Sequence, residues 1–277
     1  MRWQGGRRGG GIEDRRGMGA GGVVGGGLGV GVIALLGYLF FGIDPSTTTQ
    51  VASQFGAATQ QQGKAGTPED QAGLFVDVVG ANINDVWARQ LVGYRPPRVV
   101  LYEGGTGTQC GFGQAAMGPF YCPTDRTVYL DLSFWQQLEQ LGGSGAEFAR
   151  AYVIAHEFGH HVQTLTGASQ QVQQAQRDAR SQGEANRHSV ALELQADCYA
   201  GVWAANASAV SNGEVAMTAG DIEAGLQTAS AIGDDRLTQG RASPESFTHG
   251  TSQERAAWLR RGYESGDPAV CDTFAAR

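Results

Sequence analysis

Residues 151–163 read Ala-Tyr-Val-Ile-Ala-His-Glu-Phe-Gly-His-His-Val-Gln and contain the pattern H-E-x-x-H, formed by His156, Glu157 and His160. Residues four apart on an α-helix lie on one face, one turn apart, so both imidazoles could hold the same Zn²⁺ ion. Glu157 points about a quarter-turn aside, where a carboxylate can accept a proton from water without binding the metal. The stretch therefore predicts a metal-binding helix that carries its own general base.

The alternative is an ordinary helix whose two histidines are hydrogen-bonded in the core or on the surface. The residues around the motif favour the metal-binding interpretation. The helix before the motif is apolar, as a buried helix requires, through Ala151, Val153, Ile154 and Ala155. Gly159 leaves room for the close approach of another backbone. A catalytic zinc ion would still need a third protein ligand.

A second helical segment, residues 184–205, supplies two acidic side chains in apolar surroundings. It contains the pattern E-x-x-x-D, in which Glu193 and Asp197 share one helix face. A catalytic zinc site uses three protein ligands, so Glu193 is the expected third ligand. Asp197 is then expected to accept the N–H of a ligand histidine and fix its orientation. Solvated surface carboxylates are the alternative, disfavoured because acids among apolar neighbours need a partner.

The composition indicates one sizeable domain with additions at its N-terminus. The chain has 277 residues, of which 41% are hydrophobic and 17% charged, and its formal net charge is −7. Residues 1–16 hold five arginines against Glu13 and Asp14, a local charge of +3, which leaves −10 for the remainder. An acidic body disfavours nucleic acid as a partner.

The folded domain is expected to comprise residues 67–277, and three segments are expected to precede it. Residues 1–16 are rich in Arg and Gly without apolar periodicity, and predict a basic disordered arm. Residues 17–43 contain no charged side chain and are long enough to cross a bilayer as an anchor. A cleaved signal peptide is the first alternative, and a Gly-rich soluble core helix is the second. Residues 44–66 are mostly Ser, Thr, Gln, Ala and Gly, the composition of a flexible linker.

Arginines before the apolar segment predict a cytoplasmic N-terminus, and hence a single-pass membrane protein whose domain is exported. The four cysteines agree with export, because disulfides form in oxidising compartments. We expect Cys110 to pair with Cys122, which closes a short loop, and Cys198 to pair with Cys271. Four cysteines allow three pairings, and the sequence alone does not decide among them.

Four segments resemble the bacterial family of neutral zinc metallopeptidases that have a single N-terminal membrane anchor. They are residues 156–161 (HEFGHH), 193–201 (ELQADCYAG), 118–132 (GPFYCPTDRTVYLDL) and 248–250 (THG). The first two segments also resemble the wider gluzincin class, in which two histidines and a glutamate hold zinc. The resemblance implies Zn²⁺ as the cofactor, a peptide or protein as the substrate and peptide-bond hydrolysis as the reaction.

The predicted elements are mostly helices with a few short strands. They indicate an α+β domain, mainly helical with a small sheet, in which a zincin-like pair of helices surrounds the metal. In the gluzincin class an edge strand beside the zinc aligns the peptide substrate. The resemblance places that strand at Thr127 to Leu132.

His249 lies between Thr248 and Gly250 in a predicted loop. A histidine at this place is a candidate to stabilise the oxyanion that forms when water attacks a peptide carbonyl. A loop histidine without a role is the alternative. In the helix predicted after this loop, Arg255 is expected on a solvated face.

Together these residues predict a zinc metallopeptidase in which His156, His160 and Glu193 bind the metal and Glu157 and His249 are catalytic. The alternative function is a non-catalytic envelope protein that binds partners and uses zinc as a structural staple. Glu157 disfavours that alternative, because a structural site needs no base and normally closes with four protein ligands. No segment predicts the cleavage specificity or the oligomeric state.

Overall fold

The structure is a computed structural model and describes residues 1–17 and 63–275. Its helices are α1 (Gln71–Gln90), α2 (Phe134–Gln140), α3 (Glu147–Thr166), α4 (Ala168–Asp178), α5 (Gln182–Val210), α6 (Ala219–Ala231), α7 (Asp234–Leu237) and α8 (Ser252–Ser265). Its strands are β1 (Ile12–Asp14), β2 (Lys64–Gly66), β3 (Arg98–Tyr102), β4 (Gly105–Thr108), β5 (Gly111–Gln114), β6 (Phe120–Cys122) and β7 (Thr127–Asp131). The predicted α+β class, mainly helical with a small sheet, is confirmed.

The two helices that carry the sequence motifs pack against each other in the core. The apolar half of α3 is buried, and α3 ends at Gly167, whose φ of 85° is the left-handed value that glycine adopts without strain. α5 approaches α3 closely at Gly159, where an added Cβ would lie 3.1 Å from the Cα atom of Ala196. This close contact favours glycine, and it brings the acidic residues of α5 opposite the histidines of α3.

A five-stranded sheet has the strand order β2-β1-β3-β7-β6. β1, β3 and β7 run parallel, whereas β2 and β6 are antiparallel to their neighbours and form the two edges. The expectation that Thr127 to Leu132 form a substrate-aligning edge is therefore wrong, because β7 is buried and bonded on both sides. The edge beside it is β6, Phe120–Cys122.

The first 17 residues belong to the folded domain, so the prediction that residues 1–16 form a disordered arm is wrong. β1 lies inside the sheet, between β2 and β3. Trp3 is 3% exposed, packs edge-to-face against Phe75 and donates its indole N–H to Glu147. The ammonium group of Met1 donates to Asp221 at 2.7 Å.

Three of the five arginines of this segment, Arg7, Arg15 and Arg16, pair with carboxylates, which a disordered arm would not do. Arg15 is 7% exposed and donates to Glu13 at 2.8 Å. Arg98 of β3 donates to the same carboxylate at 2.6 Å, which joins two adjacent strands of the sheet. Arg98 reaches Glu13 only when β1 pairs with β3, so the sequence of residues 1–16 carries no sign of this contact.

β2 occupies the end of the predicted linker, residues 44–66, and pairs with β1. The backbone N–H of Gly63 donates to Glu13 at 2.9 Å, so Gly17 and Gly63 lie at the same end of the sheet. The folded domain therefore comprises residues from both sides of the predicted anchor. The anchor itself, residues 17–43, lies outside the described residues except for Gly17, as do residues 44–62 of the linker.

The pairing of the strands also restricts how the chain could cross a membrane. Within residues 1–17 and 63–275, none of the helices has the length and apolar character that crossing a membrane requires. A single crossing between residues 17 and 63 would put β1 and β3 on opposite sides of a bilayer, whereas they pair in one sheet. A cytoplasmic arm joined to an exported domain is therefore incompatible with this fold.

Both predicted disulfides are confirmed. Cys110 bonds to Cys122 and ties the turn between β4 and β5 to the edge strand β6. Cys198 bonds to Cys271 and ties the middle of α5 to a short 3₁₀ helix near the C-terminus. The second bond lies one residue after Asp197, so the C-terminal segment is fastened beside the acidic motif.

Candidate metal centre

The three predicted metal ligands converge. His156 Nε2 lies 3.1 Å from His160 Nε2 and 3.2 Å from Glu193 Oε2, and His160 Nε2 lies 3.4 Å from Glu193 Oε1. Two atoms bound to one tetrahedral zinc ion at about 2.0–2.1 Å are about 3.3 Å apart. The spacing of the three donors therefore fits zinc, and these residues form a group that could hold a metal ion.

Each candidate ligand histidine is held through its other ring nitrogen by an oxygen atom. His156 Nδ1 lies 2.9 Å from Asp197 Oδ1, and His160 Nδ1 lies 2.8 Å from Gln163 Oε1. Both oxygens are acceptors, so each Nδ1 carries a hydrogen and each Nε2 can offer its lone pair to a cation. Asp197 thus lies where it was predicted. Gln163 was missed, although it ends the quoted stretch one turn after His160.

The electrostatics of the centre favour a positive charge. Burial opposes the charging of His156, but the carboxylates of Asp197 and Glu193 raise its pKa to about 10. Burial also opposes the ionisation of Glu193, but His160 and His156 hold its pKa well below the usual value. A proton on His156 or a metal ion can supply this charge, so metal binding must displace the proton.

Asp197, on α5, is connected to α8 through Arg255. Arg255 donates to the two carboxylate oxygens of Asp197 at 2.9 and 3.0 Å, and the hydroxyl of Tyr152 donates at 2.6 Å. Burial would raise the pKa of Asp197, but the guanidinium of Arg255 lowers it. Arg255 is 3% exposed, so its predicted solvated position is wrong. Removing one partner of such a buried pair costs about 3–5 kcal/mol, which makes Arg255 a structural requirement of the site.

Glu157 lies beside the ligands and contacts the edge of the sheet. The residue is 7% exposed, and burial raises the pKa of its carboxyl to about 8. The nearby backbone of Tyr121, in β6, opposes this rise of the pKa. β6, which pairs with β7 on one side only, packs against the helix that carries Glu157, so this edge strand lies beside the candidate metal centre.

His161 fastens β6 to the motif helix. Its Nδ1 lies 3.0 Å from the hydroxyl of Tyr121, and its Nε2 lies 2.6 Å from the carbonyl oxygen of Arg95. The residue is 1% exposed, and both of its ring nitrogens contact groups outside the three converging residues. His161 thus has a structural role, which agrees with its position about 100° round the helix from His160.

His249 is held by a single carboxylate at the start of α7. Asp234 Oδ2 accepts the backbone N–H groups of Thr248, His249 and Gly250 at 2.7–3.0 Å, and Asp234 Oδ1 lies 3.2 Å from His249 Nδ1. Burial lowers the pKa of His249, but Asp234 and the nearby charge of Glu193 raise it above the usual value. The imidazole is 38% exposed, so it remains accessible. No pattern in the sequence indicated Asp234.

A family model described as "Putative neutral zinc metallopeptidase" matches residues 1–274. The chain belongs to this family. The match begins at the first residue, in agreement with the inclusion of β1 in the domain. Zinc and hydrolase chemistry are what the family description suggests for its members.

Two relatives illustrate how far the similarity extends. "Uncharacterized protein YpfJ" of Escherichia coli (strain K12) is 46% identical over 294 residues, which cover 99% of each chain. "Uncharacterized protein Rv2575" of Mycobacterium tuberculosis (strain ATCC 25618 / H37Rv) is 44% identical over 211 residues, which cover 73% of this chain and 70% of the relative. No solved structure matches the chain.

Proposed function

We propose that this protein is a zinc-dependent metallopeptidase that hydrolyses peptide bonds. The observation that carries the proposal is the triangle of His156, His160 and Glu193 with Glu157 beside it. Among the described residues no fourth His, Cys, Asp or Glu joins this group. A structural zinc site normally closes with four protein ligands, whereas three leave a position open for catalysis. The open position therefore favours the enzyme over a zinc-stapled binding protein.

In the proposed mechanism Glu157 is the general base. Bound Zn²⁺ would polarise the scissile carbonyl and increase the acidity of a water molecule. Glu157 takes a proton from that water and delivers it to the leaving amine. The burial that raises the pKa of Glu157 favours the protonated form that exists between these two steps.

His249 and β6 complete the proposed catalytic cleft. Asp234 accepts the Nδ1 hydrogen of His249 and raises its pKa, which favours the protonated ring, whose Nε2 can donate to the developing oxyanion. The free edge of β6 offers backbone groups to which an extended peptide can add as a further strand. The edge strand available to a substrate is thus Phe120–Cys122.

The test is a cleavage assay on the full chain, since residues 1–17 are part of the domain. The purified protein is expected to contain one zinc ion and to cleave members of a peptide library, with products identified by mass spectrometry. A chelator should abolish cleavage and added Zn²⁺ should restore it. Glu193→Ala is expected to lose both zinc and cleavage, because it removes a ligand. Stoichiometric zinc without cleavage of any peptide would overturn the enzyme and favour the non-catalytic envelope protein.

We further propose that the protein acts outside the cytoplasm, with residues 1–17 in the same compartment as the metal centre. The two disulfides support an oxidising compartment, and the pairing of β1 with β3 supports a shared side. Attachment to a membrane through residues 17–43 stays a prediction.

Labelling of introduced cysteines tests this location. Arg8 and Arg89 are exposed, and all four native cysteines are in disulfides. In intact spheroplasts, Arg8→Cys and Arg89→Cys should both react with a membrane-impermeant maleimide. Reaction of Arg89→Cys alone would place residues 1–17 on the other side of the membrane and contradict the sheet. Reaction of neither, with both reacting after lysis, would place the protein in the cytoplasm.

A further inference from the structure

We infer that Gln163 is a positioning residue, which sets the orientation of His160 and ties it to the helix that carries Glu193. The side chain of Gln163 is fully buried between α3 and α5. Its Oε1 lies 2.8 Å from His160 Nδ1, and its Nε2 donates to the carbonyl oxygen of Leu192 at 2.6 Å. One amide group therefore contacts a metal ligand on one helix and the residue before a metal ligand on the other.

The hydrogen-bond network fixes which way this amide points. Gln163 Nε2 also lies 3.2 Å from Gln195 Oε1, and Gln195 Nε2 donates to the carbonyl oxygen of Cys271 at 3.0 Å. A backbone carbonyl only accepts, so Gln195 must turn its nitrogen towards Cys271 and its oxygen towards Gln163. Gln163 must then turn its own oxygen towards His160, which places the hydrogen of His160 on Nδ1. The tautomer that binds metal through Nε2 is thus determined by buried neighbours.

The two ligand histidines are held by groups of different charge. The acceptor for His156 is the carboxylate of Asp197, whose charge is compensated by Arg255. The acceptor for His160 is the neutral amide of Gln163, and no cation is needed beside it. The choice of an amide gives the same orientation without placing a second charge in the core. Gln163 also supplies a donor to Leu192, which a carboxylate could not do.

Two substitutions separate the positioning role from a merely structural one. Gln163→Met keeps a similar volume but removes both the acceptor for His160 and the donor to Leu192. Gln163→Glu keeps the acceptor and removes the donor. Both variants should unfold at a lower temperature than the wild type when free of metal. Only Gln163→Met should bind zinc more weakly, by about 10–100-fold, because that is the usual effect of losing the group that orients a ligand histidine.

The matched control is Gln195→Met, which removes a buried amide of the same network that touches no metal ligand. It should lower the unfolding temperature of the metal-free protein and leave the zinc dissociation constant within about threefold of the wild type, since Leu192 still orients Gln163. The dissociation constants are measured by competition with a chromophoric chelator. The experiment needs no peptidase activity.

Each outcome decides the inference. Equal zinc affinity of Gln163→Met and the wild type, or equal weakening in Gln195→Met, would overturn it. If Gln163→Met does not fold, Gln163→Glu decides: zinc affinity at or above that of the wild type supports the positioning role, and weaker binding overturns it. The inference rests on zinc as the metal of the proposed function. A wild-type chain that binds no zinc would reject that proposal, whereas a zinc-binding wild type matched by Gln163→Met would reject the role of Gln163 alone.

Discussion

Deletion of residues 1–17 is expected to unfold the domain. The deletion removes β1 from the inside of the sheet, which leaves β2 without a partner and β3 with an unpaired edge. It also removes Trp3 and Ile12, each 3% exposed. Loss of a buried Trp costs about 3–5 kcal/mol and loss of a buried Ile about 2–5 kcal/mol, so the two together approach the whole stability of a typical domain, about 5–15 kcal/mol. Circular dichroism and urea unfolding measure the effect.

Two point variants show whether the loss is specific to packing. Trp3→Ala should lower the free energy of unfolding by about 3–5 kcal/mol, because it empties the contact with Phe75 and leaves Glu147 without its indole donor. Arg8→Ala, at an exposed position of the same segment, should change it by less than about 0.5 kcal/mol. A deletion variant with the unfolding midpoint of the wild type would mean that β1 does not belong to the sheet.

The sequence was sufficient for those parts of the site that obey helical spacing. H-E-x-x-H and E-x-x-x-D each place two side chains on one face, and both helices are long and buried. The need of a catalytic metal for three ligands then pointed to Glu193, which lies within 3.2–3.4 Å of the histidine nitrogens. Helical spacing and the number of ligands that a catalytic metal needs therefore predict, without a tertiary structure, that Glu193 and Asp197 lie near His156.

The residues that the sequence did not reveal are those whose partners come from distant elements. Arg255 pairs with Asp197 from 58 residues away, and Asp234 holds His249 from 15 residues away. Helical periodicity tells which face a side chain occupies, but not which charge another helix presents to it. The sequence therefore predicted a solvated position for Arg255, because it does not show that α8 packs against α5. The sequence did not indicate a role for Gln163 for the same reason, because its partners Leu192 and Gln195 lie on α5.

The order of the strands could not be predicted from the sequence, for a related reason. β1 has three residues, and its backbone pairing is made to β2 and β3, so the segment itself carries no alternating pattern. β6 is equally short, and nothing in its sequence tells whether it or β7 lies at the edge. A strand of this length is defined by its neighbours. For this reason the sequence indicated β7, and not β6, as the substrate-aligning edge. It also did not indicate that residues 1–17 belong to the domain.

Glu157→Gln is expected to abolish peptidase activity while it leaves the metal site intact. The amide has the size of the carboxylate, but it cannot take a proton from water. Loss of a general base typically lowers the rate by about 10²–10⁴-fold. Glu157 is not among the three converging ligands, so the zinc content should remain that of the wild type. The measurements are kcat on a cleaved peptide, zinc content and the urea midpoint.

Folding should be preserved in this variant, which separates a chemical defect from a structural one. Burial already raises the pKa of Glu157 to about 8, so the core prefers a neutral group at this position, and glutamine supplies one. The matched control is Glu223→Gln, which makes the same change at an exposed position of α6 and should alter none of the three measurements. A Glu157→Gln enzyme that keeps more than about a tenth of the wild-type kcat would exclude Glu157 as the base. The proton acceptor would then be another group near the candidate ligands, and His249, whose side chain is partly exposed, is the next candidate.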